Sequence, residues 1–275
     1  LKDYHIQTYR NNIGDHILMK DVMALTPDDI PQTDFVLAGI PCVHFSPLNT
    51  LTNFRDIPSL THPLVEQTIN IIKWSKAKAF LFENVENFVK VKKGAIFERI
   101  KERLSNFGIV KRIIDASTLG SPQKRRRSFI LGIQDREPEI PMPHISAITT
   151  VKDAFKNVEQ APQHDLYFTP TPKTLERMQY VPQGGNINDV PIHLRAPNKI
   201  FSNYCQRLKE DGLAPTISHV HDDVFIDPNH DRYLSVRQAA RLFSLPDDFI
   251  FHGSLTAIFE MLKNSVDYKV STFLA

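Results

Sequence analysis

The chain predicts an α/β fold: a doubly wound, mostly parallel sheet with a smaller irregular second domain. Three observations lead there. Short apolar runs at Phe35 to Gly39, Ala79 to Val85, Ile109 to Ile114 and Ser128 to Gln134 have strand length and are bounded by turn residues. Helical stretches fall between the first three of these runs. Leu64 to Lys76 places apolar residues at 64, 65, 69, 71, 72 and 74, and Phe97 to Phe107 follows as a second helix, so strand and helix alternate as in βαβ units. Beyond residue 134 the texture changes. Pro138, Pro141, Pro143, Pro162, Pro170, Pro172, Pro182, Pro191 and Pro197 interrupt any long element, which suggests a linker and a small irregular domain.

Composition bounds the function class. The 275 residues are 41% hydrophobic and 23% charged, as in an ordinary globular protein, with a net charge of +2. Clustering matters more than that total, and the densest cationic run is Lys124 to Arg127. No apolar run is long enough to cross a bilayer, and the start, Leu-Lys-Asp-Tyr-His, lacks signal-peptide organisation. Cys42 and Cys205 are the two cysteines, which excludes a disulfide framework or a multi-cysteine metal site and suits a reducing cytoplasm. His219, His221 and His230 lie among Asp222, Asp223 and Asn229 without metal-ligand spacing, so no metal is expected. A first residue that is Leu rather than Met suggests a piece of something longer.

In chain order, residues 1 to 20 read as a helix and a polar turn at Asn11 to Asp15, followed by Asp21 in a polar loop. The strand Phe35 to Gly39 ends in Gly39-Ile40-Pro41, which cannot continue a strand, so the chain turns and Cys42 stands on that turn. A free cysteine is ordinarily a small buried hydrophobe, but the carboxyl ends of strands are where α/β sheets bind ligands, and a thiol held there can act as a nucleophile. Residues 43 to 63 form a long stretch without regular pattern, expected as a mobile lid. Glu83 ends the next buried strand; its ordinary role would be a salt-bridged or capping carboxylate, yet its place suits the same rim as Cys42. Gly120-Ser121-Pro122-Gln123 is a turn feeding Lys124-Arg125-Arg126-Arg127 into a strand. Leu234 to Phe249 reads as an amphipathic helix closed by Pro246.

The order Pro41-Cys42, Glu83-Asn84-Val85, Gln123-x-Arg125-x-Arg127, Arg207-x-Leu with Pro215-Thr216-Ile217, then the helix from Leu234, resembles the DNA (cytosine-5)-methyltransferases from about Asp21 to Val266. The resemblance implies a Rossmann-like, S-adenosylmethionine-dependent methyltransferase fold and assigns roles. Cys42 would add to C6 of the cytosine. Glu83 would hold N3 and the exocyclic amine, and Arg127 would stabilise charge at O2, with Arg125 as a further catalytic residue and substrate-binding Gln123 shaping the pocket. Pro41 and Asn84 would line the substrate site; Asp21, Leu64 and Asn264 would contact S-adenosyl-L-methionine. The target base would be flipped out of duplex DNA. Domains would run 1–140 (catalytic), 141–205 (target recognition, with Val181 to Asn186) and 206–275 (return to the catalytic domain). The protein would work in a bacterial cytoplasm, at the nucleoid, within a restriction-modification system.

Two features depart from the family. No Gly-rich strand-turn, and no acidic residue to hold the donor's ribose, stands in residues 1 to 20. The first strand of the sheet is therefore expected to be missing, leaving an open edge that a complementing N-terminal segment or subunit would fill. The terminal Gly-Asn-Ala-Val-Pro is represented by Lys263-Asn264-Ser265-Val266-Asp267. A non-catalytic DNA-binding remnant and an enzyme acting on structured RNA are the competing readings.

Overall fold

A computed structural model of the chain describes residues 2–41, 62–144, 147–195, 204–218 and 225–275. Cys42 and the expected lid up to residue 61 lie outside the described residues. The chain divides into two compact units, one of Met19–Asp115 with Arg126–Pro143, the other of Leu1–Leu18, Ala116–Arg125 and His144–Ala275.

The first unit carries the sheet. Its strands are β1 (Phe35–Gly39), β2 (Ala79–Val85), β3 (Phe107–Asp115) and β4 (Arg126–Gln134), in the order β1-β2-β4-β3. β1 and β2 are parallel, joined through helix α2 (Pro63–Trp74), whereas β4 runs antiparallel to both β2 and β3. The expectation of a mostly parallel sheet is thus corrected to a mixed one among the described strands. The reason is chain length: Ala116–Arg125 between β3 and β4 is shorter than the dozen or so residues a parallel crossover requires. Phe107, expected to end a helix, opens β3, and helix α3 is Ala95–Arg103.

One sheet face packs against α2 and α3. Ile69 and Ile72 of α2, Phe80 and Phe82 of β2, Ile100 of α3 and Ile130 of β4 are all at most 1% exposed. Gly132 opposes Phe80 in register, and a Cβ there would lie 2.1 Å from the Phe80 ring, so the glycine makes room for that ring. At the sheet edge, β1 has β2 as its described partner and turns Phe35 and Leu37 outward, 46% and 68% exposed. These are large apolar side chains for an uncovered strand.

The second unit holds helices α1 (Asp3–Asn12), α4 (Val151–Phe155), α5 (Pro172–Met178), α6 (Val236–Leu242), α7 (Leu255–Asn264) and α8 (Tyr268–Leu274). One core joins the irregular segment (Met178, Ile187, Val190) to α6 and α7 (Val236, Ala240, Ile258, Phe259, Leu262). Residues 144–195 and 225–275 therefore share a compact unit. Helix α6 starts at a Ser235/Gln238 capping box and is shorter than its apolar pattern: Ser244 turns left-handed at φ 58°, so the helix stops before Pro246. Arg237 on α6 is fully buried and donates to the carbonyls of Pro162, Pro246 and Phe249, which holds the chain around the helix end.

Candidate active site

Alternation along β2 decides which groups reach the site. Glu83 lies opposite Phe129 and Val85 opposite Arg127, so Glu83 and Arg127 are a diagonal cross-strand pair on one face. Arg127 Nε stands 3.2 Å from Glu83 Oε1, with the side chains 15% and 14% exposed. A largely buried ion pair of this kind gives the guanidinium a fixed direction. Gly39 of β1 flanks Glu83 on the other side and places no side chain beside the carboxylate.

Asn84 projects to the opposite face and is 2% exposed. Its Nδ2 donates to the Ile40 carbonyl (2.9 Å), its Oδ1 accepts from the Val85 amide (2.9 Å), and Ser128 Oγ donates to the Val85 carbonyl (2.9 Å). Asn84 therefore ties the end of β1 to the end of β2 at the residue before Pro41, which is exposed. Its observed contacts are those of a positioning residue for the turn that leads to Cys42.

Gln123 and Arg125 belong to the other unit, while Arg127, two residues on, belongs to the sheet. Gln123 is fully buried; its amide reaches toward the Leu242 carbonyl at 3.5 Å, and its backbone bridges Ala214. Arg125 is 1% exposed and lies 4.8 Å over the Phe243 ring. Its Nη2 donates to the carbonyls of Lys263 (2.7 Å) and Ser265 (2.8 Å), bracketing the exposed Asn264 at the end of α7. Through these bonds Arg125 fixes the turn that presents Asn264.

Asp21 is exposed and caps a short 3-10 turn, Val22–Ala24, by accepting from the Met23 amide at 2.9 Å. Gln67 of α2 donates to the Val22 and Leu25 carbonyls and so holds this turn against the helix whose first turn carries half-buried Leu64.

Other groups were not singled out by sequence. Glu86, just past β2, pairs with both Lys90 and Arg126; the i,i+4 spacing of Glu86 and Lys90 was the available signal. Asp267, at the position where the family pattern has Pro, is 1% exposed, caps α8 through the Lys269 amide and accepts from Ser121 Oγ at 2.6 Å. Burial pushes its carboxyl above the usual range, although the Ser121 bond works against the shift. Cys205 is buried, which pushes its thiol up to about 11 and leaves it unreactive near neutrality.

A family model for C-5 cytosine-specific DNA methylases matches residues 1–275. The chain belongs to that family. This methylase is 28% identical over 284 residues to the type II methyltransferase M1.HphI of Haemophilus parahaemolyticus, covering 97% of this chain and 75% of the relative. It is 26% identical to M.NgoFVII of Neisseria gonorrhoeae, covering 94% and 74%. Among solved structures, one described as a prophage-encoded DNA modification methyltransferase from E. coli superposes with a TM-score of 0.73 at 21% identity, covering 99% of this chain and 88% of that one. Dnmt2 methyltransferase of S. pombe gives 0.60 at 17% identity, covering 98% and 86%. The fold is accordingly that of α/β methyltransferases, and the methyl donor of such enzymes is S-adenosylmethionine. Among the described residues no helix is long and apolar enough to cross a membrane, and no group of three or more His, Cys, Asp or Glu could hold a metal ion.

Proposed function

We propose that this methylase modifies C5 of a cytosine flipped from duplex DNA, as a type II modification enzyme, with Cys42, Glu83 and Arg127 as its catalytic residues. The observation that carries the assignment is the Glu83–Arg127 pair at the end of β2, beside the β1 end that leads through Ile40 and Pro41 to Cys42. Cytosine C5 is a poor nucleophile. Addition of the Cys42 thiolate at C6 breaks ring aromaticity and makes C5 enamine-like. Glu83 accepts from the exocyclic amine and delivers a proton to N3 as negative charge moves onto the ring, and the Arg127 guanidinium donates to O2, so the charge pushed onto the ring is neutralised at N3 and stabilised at O2. S-adenosylmethionine, when bound, supplies the methyl group. Asp21 is assigned to its adenine amino group, and Leu64 and Asn264 to further contacts with the donor. Pro41 and Asn84 shape the turn over the base. Residues 141–205 are assigned to target recognition, and the cell compartment to a bacterial cytoplasm, at the nucleoid.

A second element of the reading concerns β1. Its outward apolar face and its position at the edge support a missing neighbouring strand, supplied by a further segment of the protein or by a separate subunit, which would also bring the groups for the donor's ribose and methionine. The direct test is a duplex carrying 5-fluorocytosine, incubated with donor and with an added segment bearing a Gly-rich strand-turn. Wild-type protein should form a denaturation-resistant adduct and Cys42→Ser should form none; an adduct with the serine variant would remove Cys42 from the chemistry.

A further inference from the structure

Two turns of the second unit are locked together beside Asn264. Helix α7 ends at Asn264 and Asp267 caps α8, so at most about 11 Å of chain separates the two residues and the link Ser265-Val266 carries little slack. Arg125 holds the near end of the link through the Lys263 and Ser265 carbonyls. Asp267 holds the far end. Its Oδ2 accepts from Ser121 Oγ at 2.6 Å and from Ser244 Oγ at 3.4 Å, while Oδ1 accepts from the Lys269 amide at 3.0 Å. Lys269 Nζ in turn donates to the Gly120 carbonyl at 2.6 Å, and the Tyr268 amide to the Phe243 carbonyl at 2.9 Å. Asp267 and Ser121 are both buried, so water does not compete for their bond. The φ of Asp267 is −63°, the value a proline ring imposes, so the backbone stands here as the Pro of the family pattern would hold it.

We propose that Asp267 is a positioning residue for the methyl donor, holding Asn264 in place through its buried bond to Ser121. This rests on the reading that Asn264 contacts the donor. A proline would stiffen the link by fixing its own φ and would offer no side-chain acceptor. Aspartate leaves φ free in the unfolded chain and restores the order in the fold, by tying the link to the turn at Ser121 and to Ser244 just past α6. Asp267 is buried and Asn264 exposed, so Asp267 acts through the chain and not by touching the donor. An exposed side chain binds well only where its backbone is already fixed, because a contact that must first be ordered loses the entropy of ordering.

The test is calorimetric titration of S-adenosyl-L-methionine into the full chain, supplied with the Gly-rich segment described above, together with hydrogen exchange over residues 263 to 266. Asn264→Ala should weaken donor binding roughly threefold to tenfold, the worth of one hydrogen bond. Asp267→Ala should approach that loss without exceeding it and should speed the exchange. In the Asn264→Ala background it should cost nothing further, as expected for residues that act as one contact. Ser121→Ala removes the same bond from its other end and should give the same loss. Asp267→Ser keeps a capping side chain for α8 but is one bond shorter and does not reach Ser121, so donor binding should still weaken while the helix stays capped. Asp267→Pro fixes the same φ without either bond and should bind donor more tightly than Asp267→Ala, which a role limited to capping α8 does not produce. Wild-type donor affinity in both Ser121→Ala and Asp267→Ser, or a loss in Asp267→Ala that adds to that of Asn264→Ala, overturns the positioning role alone. Wild-type affinity in Asn264→Ala, or a wild-type chain that does not bind the donor, overturns the donor-site reading and the positioning role with it.

Discussion

Glu83→Gln keeps the size of the side chain and an oxygen that can still accept from Arg127, but removes the negative charge. At the observed 3.2 Å, and with an effective dielectric of about 20 for a pair only 14–15% exposed, the Coulombic attraction being removed is about 5 kcal/mol before desolvation is counted. Arg127 is then left with a neutral partner, and the ring loses the group that holds N3. A positioned acid–base group contributes roughly 10²- to 10⁴-fold, so the chemical step should slow by at least ~10²-fold, equivalent to about 2.7 kcal/mol of barrier. The assay should report Cys42 addition without depending on the methyl donor. Release of tritium from DNA labelled at cytosine C5 does this, because the enamine formed on thiolate addition takes up a solvent proton at C5 and loses the label. Duplex DNA affinity should stay near wild type, since neither side chain is a phosphate contact. A double-mutant cycle with Arg127→Lys should be strongly non-additive, as expected for groups acting as a pair. Tritium release in Glu83→Gln within about threefold of wild type, with binding intact, would refute the reasoning.

Three further outcomes follow from the second unit. Burial opposes ionisation of Asp227, yet donors from Gln238, Asn229 and His230 and the charge of Arg232 hold its carboxyl below the usual range, so its stabilisation is present above the ordinary aspartate pKa and lost as pH falls through the folded value. Asp227→Asn should cost about 2–4 kcal/mol at neutral pH, with the gap from wild type closing in acid. Urea unfolding followed by circular dichroism is the suitable measurement, because the single tryptophan, Trp74, sits on α2 of the sheet unit. Arg125→Lys should lose one of the two carbonyl bonds that bracket Asn264 and speed hydrogen exchange around residues 263 to 266; unchanged exchange there would contradict the support role. With a thiol reagent at neutral pH, Cys205 should react only on unfolding, since its thiol is pushed up to about 11; rapid modification in folded Cys42→Ser would contradict its burial.

The sequence by itself determined the local elements and the candidates they carry. Apolar runs and helical spacing located β1, β2, α2 and most of β3 and β4, because these depend on period and length within a few residues. Strand alternation also put Glu83 at a strand end, and the Gly39-Ile40-Pro41 turn put Cys42 just past another. What only the tertiary structure decided is how distant segments meet. The antiparallel placement of β4 between β2 and β3 follows from a short connection and long-range register, which no local pattern encodes. The motif Gln123-x-Arg125-x-Arg127 looked like one group of pocket residues. In the fold its first two members are enclosed by carbonyls from residues 217, 242, 263 and 265, while Arg127 alone enters the sheet and reaches Glu83. Hydrogen bonds across nearly 140 positions in sequence set the surroundings of Arg125. Asp267 shows the same limit from the other side: as a sequence it is a departure from Pro, and only the packed structure turns it into a buried cap for α8 bonded to Ser121.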